Sequence, residues 1–345
     1  GAVALVVEKD IRPNAQVTVI KVQNSRKALA YMSAAFFDHP AKKLVTIGVT
    51  GTKGKTTTTY MIKSILENIG RKVGLIGTIE TIIGDESIPS NNTTPESYLV
   101  QKYMARMVEA GCDCVVMEAS SQGLKHNRID GFTFDYGIFT NLEPDHIGGA
   151  EHTDFEDYLR SKSLLFRKCK VGLVNIDDSH TDEILKGHSC KVITFGFGDK
   201  ADIRATKAEL VQGPGFLGIS YRVEGMINMD VRMNIPGKFN IYNSLCAIGI
   251  CSRLGAGKED IQEALGRIKV RGRVELVPTG GNYTVMIDYA HNAMSLESLL
   301  KSLREYKPKR LICIFGCGGN RSRDRRFEMG EVSSRLADFT VVTSD

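Results

Sequence analysis

The 345-residue sequence lacks the long apolar runs from which membrane-spanning helices are built. No stretch approaches the roughly 18–20 consecutive apolar residues that such a helix needs. The opening run from Gly1 to Val7 has no basic segment and no cleavage site, so a signal peptide is not predicted. We therefore expect a cytoplasmic protein without membrane insertion. Gly1 is not a natural start and Asp345 follows a strand-like run, so a fragment truncated at both ends is expected.

The sequence also lacks the CxxC pairs of zinc and redox sites. Its eight cysteines are scattered, and the two closest pairs are Cys112/Cys114 and Cys313/Cys317. These spacings favour reduced thiols. Runs of lysine and arginine, and basic segments interleaved with aromatic residues, are absent too, so nucleic acid is not an expected partner. The net charge of +5 suits phosphorylated small molecules.

What is present indicates a globular α/β protein of two or three domains. Charged residues make up 25% of the chain and hydrophobic residues 42%, which excludes disordered and fibrous classes. Short apolar runs, each followed by a glycine turn and helical periodicity, predict a parallel sheet flanked by helices. An alternating pattern over 202–234 predicts a small antiparallel insert, and Pro95 is predicted to lie in the first turn of a helix. We predict a truncated remnant over 1–42, a central domain over 43–270, and a truncated Rossmann-like α/β domain over 271–345.

The segment Gly51-Thr-Lys-Gly-Lys-Thr-Thr57 lies between a predicted strand and a predicted helix. Glycines let backbone N–H groups turn inward and surround phosphates, and the helix N-terminus adds its dipole. Lys55 would then reach the β- and γ-phosphates, and the Thr56 hydroxyl would bind Mg²⁺. The alternative is a glycine-rich turn with a surface lysine. Because strand, turn and helix come in the right order, we predict a phosphate-binding loop.

Three further residues carry chemistry that the sequence pattern leaves open. Glu118 follows an apolar strand, where a Mg²⁺ ligand is expected beside a phosphate loop, although it could equally be an acid at a helix N-terminus. His146 follows another strand, where a surface or capping histidine is the alternative. Lys162 lies on an amphipathic helix, where a solvated charge is the ordinary interpretation. An ammonium there would repel Mg²⁺, so Lys162 could serve a metal site only if its charge were reversed.

Eight ordered motifs resemble those of the Mur ligase family. They are Gly51-Thr-Lys-Gly-Lys-Thr-Thr57, Asn92-Thr-Thr-Pro-Glu96, Glu118-Ala-Ser-Ser121, Thr140-Asn-Leu-x-x-Asp-His146, Gly237-x-Phe-Asn-x-x-Asn243, Arg271-Gly-Arg-x-Glu275, Asp288-Tyr-Ala-His291 and Gly316-Cys-Gly-Gly-x-Arg321. The match covers nearly the whole chain from residue 44. It is closest to members that add the third amino acid to UDP-N-acetylmuramoyl-L-alanyl-D-glutamate. The resemblance implies an ATP-dependent amide ligase of peptidoglycan synthesis that works through an acyl phosphate, and we expect a monomer.

The resemblance also implies roles for individual residues. ATP would be held by the loop residues Gly51, Thr52, Lys53, Gly54, Lys55, Thr56 and Thr57, together with Asn240, Asn243, Arg273 and Asp288. Thr56 and Glu118 would bind one Mg²⁺, and Glu118, His146 and a carbamate formed on Lys162, which reverses the charge of that lysine, would bind a second. The UDP-muramoyl dipeptide would contact Thr93, Thr94, Ser121, His126 and Arg128. Arg321 would meet the free amino acid.

The chain departs from the family pattern at three places. Ile147 to Asp154 replaces the usual Leu-Asp-Tyr-His-Gly run, and Ser322 and Phe327 replace an expected Asp and Pro. Asp345 stands where the selector of the third amino acid would begin, so the sequence leaves diaminopimelate and lysine both open. Two alternatives to this function are a folylpolyglutamate or cyanophycin-type ligase, and a nucleotide-dependent switch or scaffold that binds ATP without ligation.

Overall fold

The chain begins with a small parallel pair of strands and a helix. These elements are β1 (Ala4–Val7), β2 (Thr18–Lys21) and α1 (Ser25–Phe36). The computed structural model describes residues 2–12, 17–144, 147–148, 151–213, 216–317 and 324–344. Asn24 caps α1, because its side chain accepts a hydrogen bond from the Lys27 amide.

A single mixed sheet forms the centre of the molecule. Its strands are β3 (Val45–Thr50), β4 (Val73–Ile76), β5 (Glu80–Ile83), β6 (Glu86–Pro89), β7 (Cys114–Glu118), β8 (Phe134–Phe139), β9 (Cys169–Asn175), β10 (Lys191–Gly196), β11 (Ile203–Gly213), β12 (Phe216–Gly225) and β13 (Met229–Met233). Within the described ranges the order is β13-β12-β11-β10-β9-β8-β3-β7-β4-β5-β6. The strands from β4 to β11 in that order are parallel, and both edges are antiparallel.

Helices cover both faces of this sheet. They are α2 (Lys55–Asn68), α3 (Ser97–Glu109), α4 (Ser121–Lys125), α5 (Phe155–Ser163), α6 (Thr181–Ile184), α7 (Phe239–Arg253) and α8 (Lys258–Gly266), with 3-10 helices at Pro40–Lys43 and Leu164–Arg167. Strand side chains alternate between two cores: Val116 and Ile138 face α2 and α7, whereas Met117 and Phe139 pack with α3 and α5. A parallel sheet buried on both faces is the predicted architecture, and it is confirmed.

The C-terminal part contains a second, smaller α/β unit. Its elements are β14 (Glu275–Val277), β15 (Val285–Ile287), α9 (Ala293–Arg304), β16 (Ile312–Gly316), α10 (Asp324–Leu336) and β17 (Phe339–Thr343). Strands β16 and β17 are parallel, as a Rossmann-like unit requires. Tyr306 joins this unit to the central sheet, because its hydroxyl donates to the Gly218 carbonyl at 2.7 Å. The division into domains at 42 and 270 stays a prediction.

One prediction about local structure is confirmed and another is wrong. The antiparallel segment predicted over 202–234 is present as β11, β12 and β13, and it extends the central sheet because Phe195 of β10 pairs with Ile203 of β11. Pro95 lies before helix α3 rather than in its first turn, since Glu96 is the N-cap. No helix in the described part of the chain is long and apolar enough to cross a bilayer.

Candidate active site

The glycine-rich turn links β3 to α2 at the carboxyl end of the parallel strands. Gly51 and Gly54 both have positive φ angles, +147° and +85°. A Cβ at Gly51 would overlap the Thr140 hydroxyl, and a Cβ at Gly54 would overlap the side-chain oxygen of Asn243. Neighbouring strands and helices therefore press against this turn so closely that only glycine fits.

The turn is held in place by side chains from the segment that follows β8. The Thr140 hydroxyl donates to the Lys53 carbonyl at 2.7 Å, and Asn141 Oδ1 accepts from the Lys53 amide at 2.9 Å. The Lys53 ammonium forms an ion pair with Glu143 at 2.6 Å. Lys55 Nζ donates to the carbonyls of Gly51 at 2.8 Å and Thr52 at 3.0 Å. The predicted phosphate-binding loop is thus preorganised by the segment that follows β8.

Glu118 is the last residue of β7. Its carboxylate connects the phosphate-binding loop to the segment that follows β4. It accepts from the Thr56 hydroxyl at 2.9 Å, from the Thr78 amide at 2.8 Å and from the Thr78 hydroxyl at 3.0 Å. The Thr78 hydroxyl also lies 3.1 Å from that of Thr93. Glu118 is 1% exposed. Carboxylate and hydroxyl oxygens are donors that suit Mg²⁺, so Thr56 and Glu118 fit the metal role predicted for them.

A series of hydrogen bonds connects Glu118 with Arg128 through Thr94. The Thr94 hydroxyl donates to the Glu118 carbonyl at 2.8 Å and accepts from the Ser120 amide at 3.0 Å. The Arg128 guanidinium donates to the Thr94 carbonyl at 3.1 Å and pairs with the Glu96 carboxylate at 2.8 Å. The planar set of N–H donors on a guanidinium fits a carboxylate. The predicted dipeptide residues Thr93, Thr94 and Arg128 therefore lie together, beside Glu118.

Lys162 of α5 is not a solvated charge. It is 1% exposed, its Nζ donates to the Gly51 carbonyl at 2.8 Å, and it lies 4.4 Å from the centre of the Tyr158 ring. The amphipathic pattern of α5 placed this lysine on the helix without showing which face is covered. Its burial against the phosphate-binding loop is consistent with the metal role implied for a carbamate there.

Two predicted site residues, His146 and Arg321, lie outside the residues that the structure describes. Their roles stay predictions. In the described ranges no group of three His, Cys, Asp or Glu side chains is arranged to hold a metal ion. The donors found there are instead Glu118 and the hydroxyl of Thr56.

The asparagines of α7 lie against the phosphate-binding loop. Asn243 Oδ1 faces Gly54, and its amide donates to Asn240 Oδ1 at 2.9 Å. Asn240 in turn donates to the Pro236 carbonyl, which fixes the first turn of the helix. These contacts bring Asn243 to the phosphate-binding loop, and the ATP contacts of both asparagines stay predictions.

Arg273 and Asp288 lie in the C-terminal unit, where each is held by local contacts. The Arg273 guanidinium stacks 4.4 Å from the centre of the Tyr289 ring. Asp288 accepts from the amides of Val274 and Ala290, and burial raises the pKa of its carboxyl. Asp288 thus holds Val274, the residue after Arg273, in place through a hydrogen bond. Nucleotide contacts for both residues stay predictions.

Ser121 is the first residue of the short helix α4, and His126 follows its last residue. Ser121 is 5% exposed, and its hydroxyl lies 2.9 Å from His152 Nε2. His126 is the C-cap of α4. Burial, together with the nearby cations of Arg26 and Arg128, lowers its pKa. Thr57 is buried in the first turn of α2.

Sequence reasoning missed Thr78 and Tyr158. Thr78 joins Glu118 to Thr93, and the Tyr158 hydroxyl lies 3.0 Å from that of Thr52. Thr78 is two residues past the end of β4, and polar residues at the carboxyl ends of strands line the crevice of an open α/β sheet. The position of Thr78 after a strand could therefore have identified it as a site residue. The sequence around Tyr158 indicates a helix and nothing about contact with the phosphate-binding loop.

Comparison with known proteins identifies what this arrangement resembles. The family model of the Mur ligase middle domain matches residues 49–251, and that of the Mur ligase glutamate ligase domain matches 272–345. The UDP-N-acetylmuramoyl-L-alanyl-D-glutamate--2,6-diaminopimelate ligase 1 of Clostridium acetobutylicum is 43% identical over 348 residues, covering 100% of this chain and 71% of the relative. The corresponding ligase of Caldanaerobacter subterraneus is 40% identical over 347 residues, with the same coverage.

Solved structures agree on the fold. A UDP-N-acetylmuramoyl-L-alanyl-D-glutamate--2,6-diaminopimelate ligase superimposes with a TM-score of 0.80 at 24% identity, covering 100% of this chain and 71% of the other. The folylpolyglutamate synthase of Mycobacterium tuberculosis, complexed with ADP and AMPPCP, has a TM-score of 0.72 at 15% identity, covering 93% and 78%. The same fold thus occurs in both kinds of ligase.

Proposed function

Because the chain belongs to the Mur ligase family, we propose that it is an ATP-dependent ligase that adds 2,6-diaminopimelate to UDP-N-acetylmuramoyl-L-alanyl-D-glutamate. The observation that carries the proposal is the position of Glu118. One buried carboxylate accepts from Thr56 of the phosphate-binding loop and from Thr78, whose hydroxyl contacts Thr93. A substrate held by Thr93 would therefore lie beside the γ-phosphate of a bound nucleotide.

The proposed reaction proceeds in two steps. A D-glutamate carboxylate oxygen attacks the γ-phosphorus, the bond to the bridging oxygen breaks, and ADP leaves, which gives an acyl phosphate. The amine of the third amino acid then attacks the acyl carbon, loses its proton, and phosphate leaves with the former carboxylate oxygen. The chain's own contribution is to position the reactants and to neutralise charge.

Individual residues have distinct parts in this proposal. Lys55 would exchange its carbonyl partners, Gly51 and Thr52, for phosphate oxygens. Arg128 would hold the carboxylate of the dipeptide that does not react. When bound, two Mg²⁺ ions would neutralise negative charge on the phosphates. Thr56 and Glu118 would hold one ion, and Glu118, His146 and a carbamate on Lys162 would hold the other. Arg273 and Asp288 would approach the nucleotide from the C-terminal unit.

Release of phosphate tests this proposal. The full-length protein should release phosphate from ATP only when the UDP-muramoyl dipeptide and diaminopimelate are both present. Activity with a folate and glutamate instead would favour the folylpolyglutamate alternative. Tight ATP binding without turnover in the complete mixture would favour a nucleotide-dependent switch. Lysine in place of diaminopimelate tests the choice of amino acid.

A further inference from the structure

A buried chain of three polar side chains lies beside the predicted dipeptide residues. His152 is 1% exposed, its Nδ1 lies 3.0 Å from Asp157 Oδ2, and its Nε2 lies 2.9 Å from the Ser121 hydroxyl. Asp157 also accepts from the Lys125 ammonium at 2.6 Å. The His152 imidazole therefore links Asp157 of α5 to Ser121, the first residue of α4.

Each hydrogen bond among these side chains has a defined donor and acceptor. The hydrogen bond from Lys125 holds the pKa of the Asp157 carboxyl well below its usual range, so the carboxylate can only accept. Nδ1 of His152 must therefore carry the proton. Burial lowers the pKa of His152, so the ring is neutral at pH 7 and its Nε2 has a free lone pair. That lone pair accepts the proton of the Ser121 hydroxyl.

The same imidazole is fixed from its other side. Its ring packs edge-on against Tyr158, with centroids 5.2 Å apart, and the Tyr158 hydroxyl lies 3.0 Å from that of Thr52 in the phosphate-binding loop. The carbonyl of Glu151 accepts from the side chains of Gln122 at 2.6 Å and Lys125 at 3.2 Å. The position of His152 is therefore determined by α4, by α5 and by the loop.

We propose that His152 is a positioning residue that makes the Ser121 hydroxyl oxygen a pure hydrogen-bond acceptor and thereby selects a peptide N–H of the dipeptide substrate. The inference rests on the proposed function and on the predicted contact between Ser121 and the dipeptide. A hydroxyl whose proton is committed to His152 offers only lone pairs. It would bind an amide N–H and reject a carbonyl or carboxylate oxygen at the same point.

Two substitutions of His152 distinguish its hydrogen bond with Asp157 from its hydrogen bond with Ser121. His152→Asn keeps an amide N–H near the position of Nδ1 and so keeps the Asp157 contact, but it leaves Ser121 without a partner. His152→Gln places an amide oxygen near the position of Nε2 and so keeps the Ser121 contact. We expect His152→Asn to raise KM for the dipeptide by about 5- to 10-fold, the effect of one hydrogen bond, with KM for ATP unchanged. His152→Gln should restore most of this loss.

His180→Asn is the matched control. His180 also contacts an aspartate, Asp178 at 3.2 Å, and also packs edge-on against an aromatic ring, Phe155. We expect wild-type KM values for both substrates in this variant. An effect as large as that of His152→Asn would show that loss of any such histidine weakens binding, and it would overturn the proposal.

A double-mutant cycle tests whether His152 acts through Ser121. Ser121→Ala should raise KM for the dipeptide by a similar factor, and adding His152→Asn to it should produce no further change. Full additivity would contradict the proposal. Thermal unfolding and ATP binding of each variant show whether it is folded. If His152→Asn does not fold, Ser121→Ala still tests the claim through the ester analogues described next.

Ester analogues of the dipeptide test the N–H group itself. Each peptide N–H is replaced in turn by an ester oxygen, and kcat/KM is compared with that of the amide. The wild-type enzyme should disfavour one of the esters by about 10-fold, and Ser121→Ala should lose that preference. Equal preference in both proteins would overturn the inference while ligation by the wild type upholds the proposed function. Absence of ligation by the wild type would instead refute the proposed function.

Discussion

The ammonium groups of Lys55 and Lys162 both donate to the Gly51 carbonyl oxygen, each at 2.8 Å. One lysine comes from the phosphate-binding loop and the other from α5, 107 residues further along the chain. Two cations at one oxygen repel each other and would repel a metal ion. Carbamoylation of Lys162 would turn this repulsion into attraction and add oxygen donors that suit Mg²⁺.

Lys162→Ala should therefore be nearly inactive. We expect turnover to fall by about 10²–10³-fold or more, because a charged group that positions the phosphates is lost. An added short carboxylate, such as acetate, should partly restore turnover by occupying the space. Lys170→Ala, which removes a largely exposed lysine paired with Asp135, is the control and should have wild-type activity. Wild-type turnover in Lys162→Ala would contradict the metal role.

Glu118→Gln should weaken Mg²⁺ binding while preserving the fold. The glutamine oxygen can still accept from the Thr56 hydroxyl and the Thr78 amide, and its NH2 group can donate to the Thr78 hydroxyl, so the negative charge is lost while hydrogen bonding is largely kept. We expect the Mg²⁺ concentration for half-maximal ATP binding to rise roughly 10- to 100-fold. Glu80→Gln, on β5 and bonded to Tyr60, should leave this concentration unchanged. An unaltered Mg²⁺ requirement in Glu118→Gln would exclude Glu118 as a ligand.

Gly54→Ala should destabilise the protein more than Gly70→Ala. Both glycines have left-handed φ angles, +85° and +80°, so a side chain strains the backbone by about 1–2 kcal/mol at either position. A Cβ at Gly54 also overlaps Asn243, whereas Gly70 has nothing within 4 Å. We expect at least about 1 kcal/mol of additional destabilisation in Gly54→Ala, together with loss of ATP binding. Urea unfolding and ATP titration measure both, and equal losses would argue against the close packing of Asn243 on the loop.

Stability should fall as the pH drops below the ordinary pKa of histidine, about 6.5. Burial lowers the pKa of His152 in the folded state, so the unfolded chain binds more protons between the folded value and 6.5. The stability that the neutral His152 contributes is therefore complete above pH 6.5 and is lost as the pH falls towards the pKa of His152 in the folded state. His152→Gln cannot titrate, so its free energy of unfolding between pH 5 and 7 should depend less on pH. Identical slopes in urea-unfolding series would contradict neutral burial of His152.

The sequence was sufficient for the parallel sheet and the glycine-rich loop because both depend on local patterns. Apolar runs such as Leu44 to Val49 and the glycines after them specify strand and turn without long-range information. The burial of Lys162 could not be predicted, because the pattern of one helix does not show that Tyr158 and Gly51 cover it. The junction of β10 with β11 was missed for a similar reason: alternation predicts a strand but not its neighbour.

The most direct test of the account follows the oxygen atoms of the D-glutamate carboxylate. The dipeptide is labelled with ¹⁸O in the carboxyl group that is joined to diaminopimelate, and the phosphate released by the full-length enzyme is analysed by mass spectrometry. If the carboxylate attacks the γ-phosphate of a nucleotide held between Lys55 and Lys162, each phosphate carries one ¹⁸O atom. Unlabelled phosphate formed alongside the amide product would contradict the acyl-phosphate route.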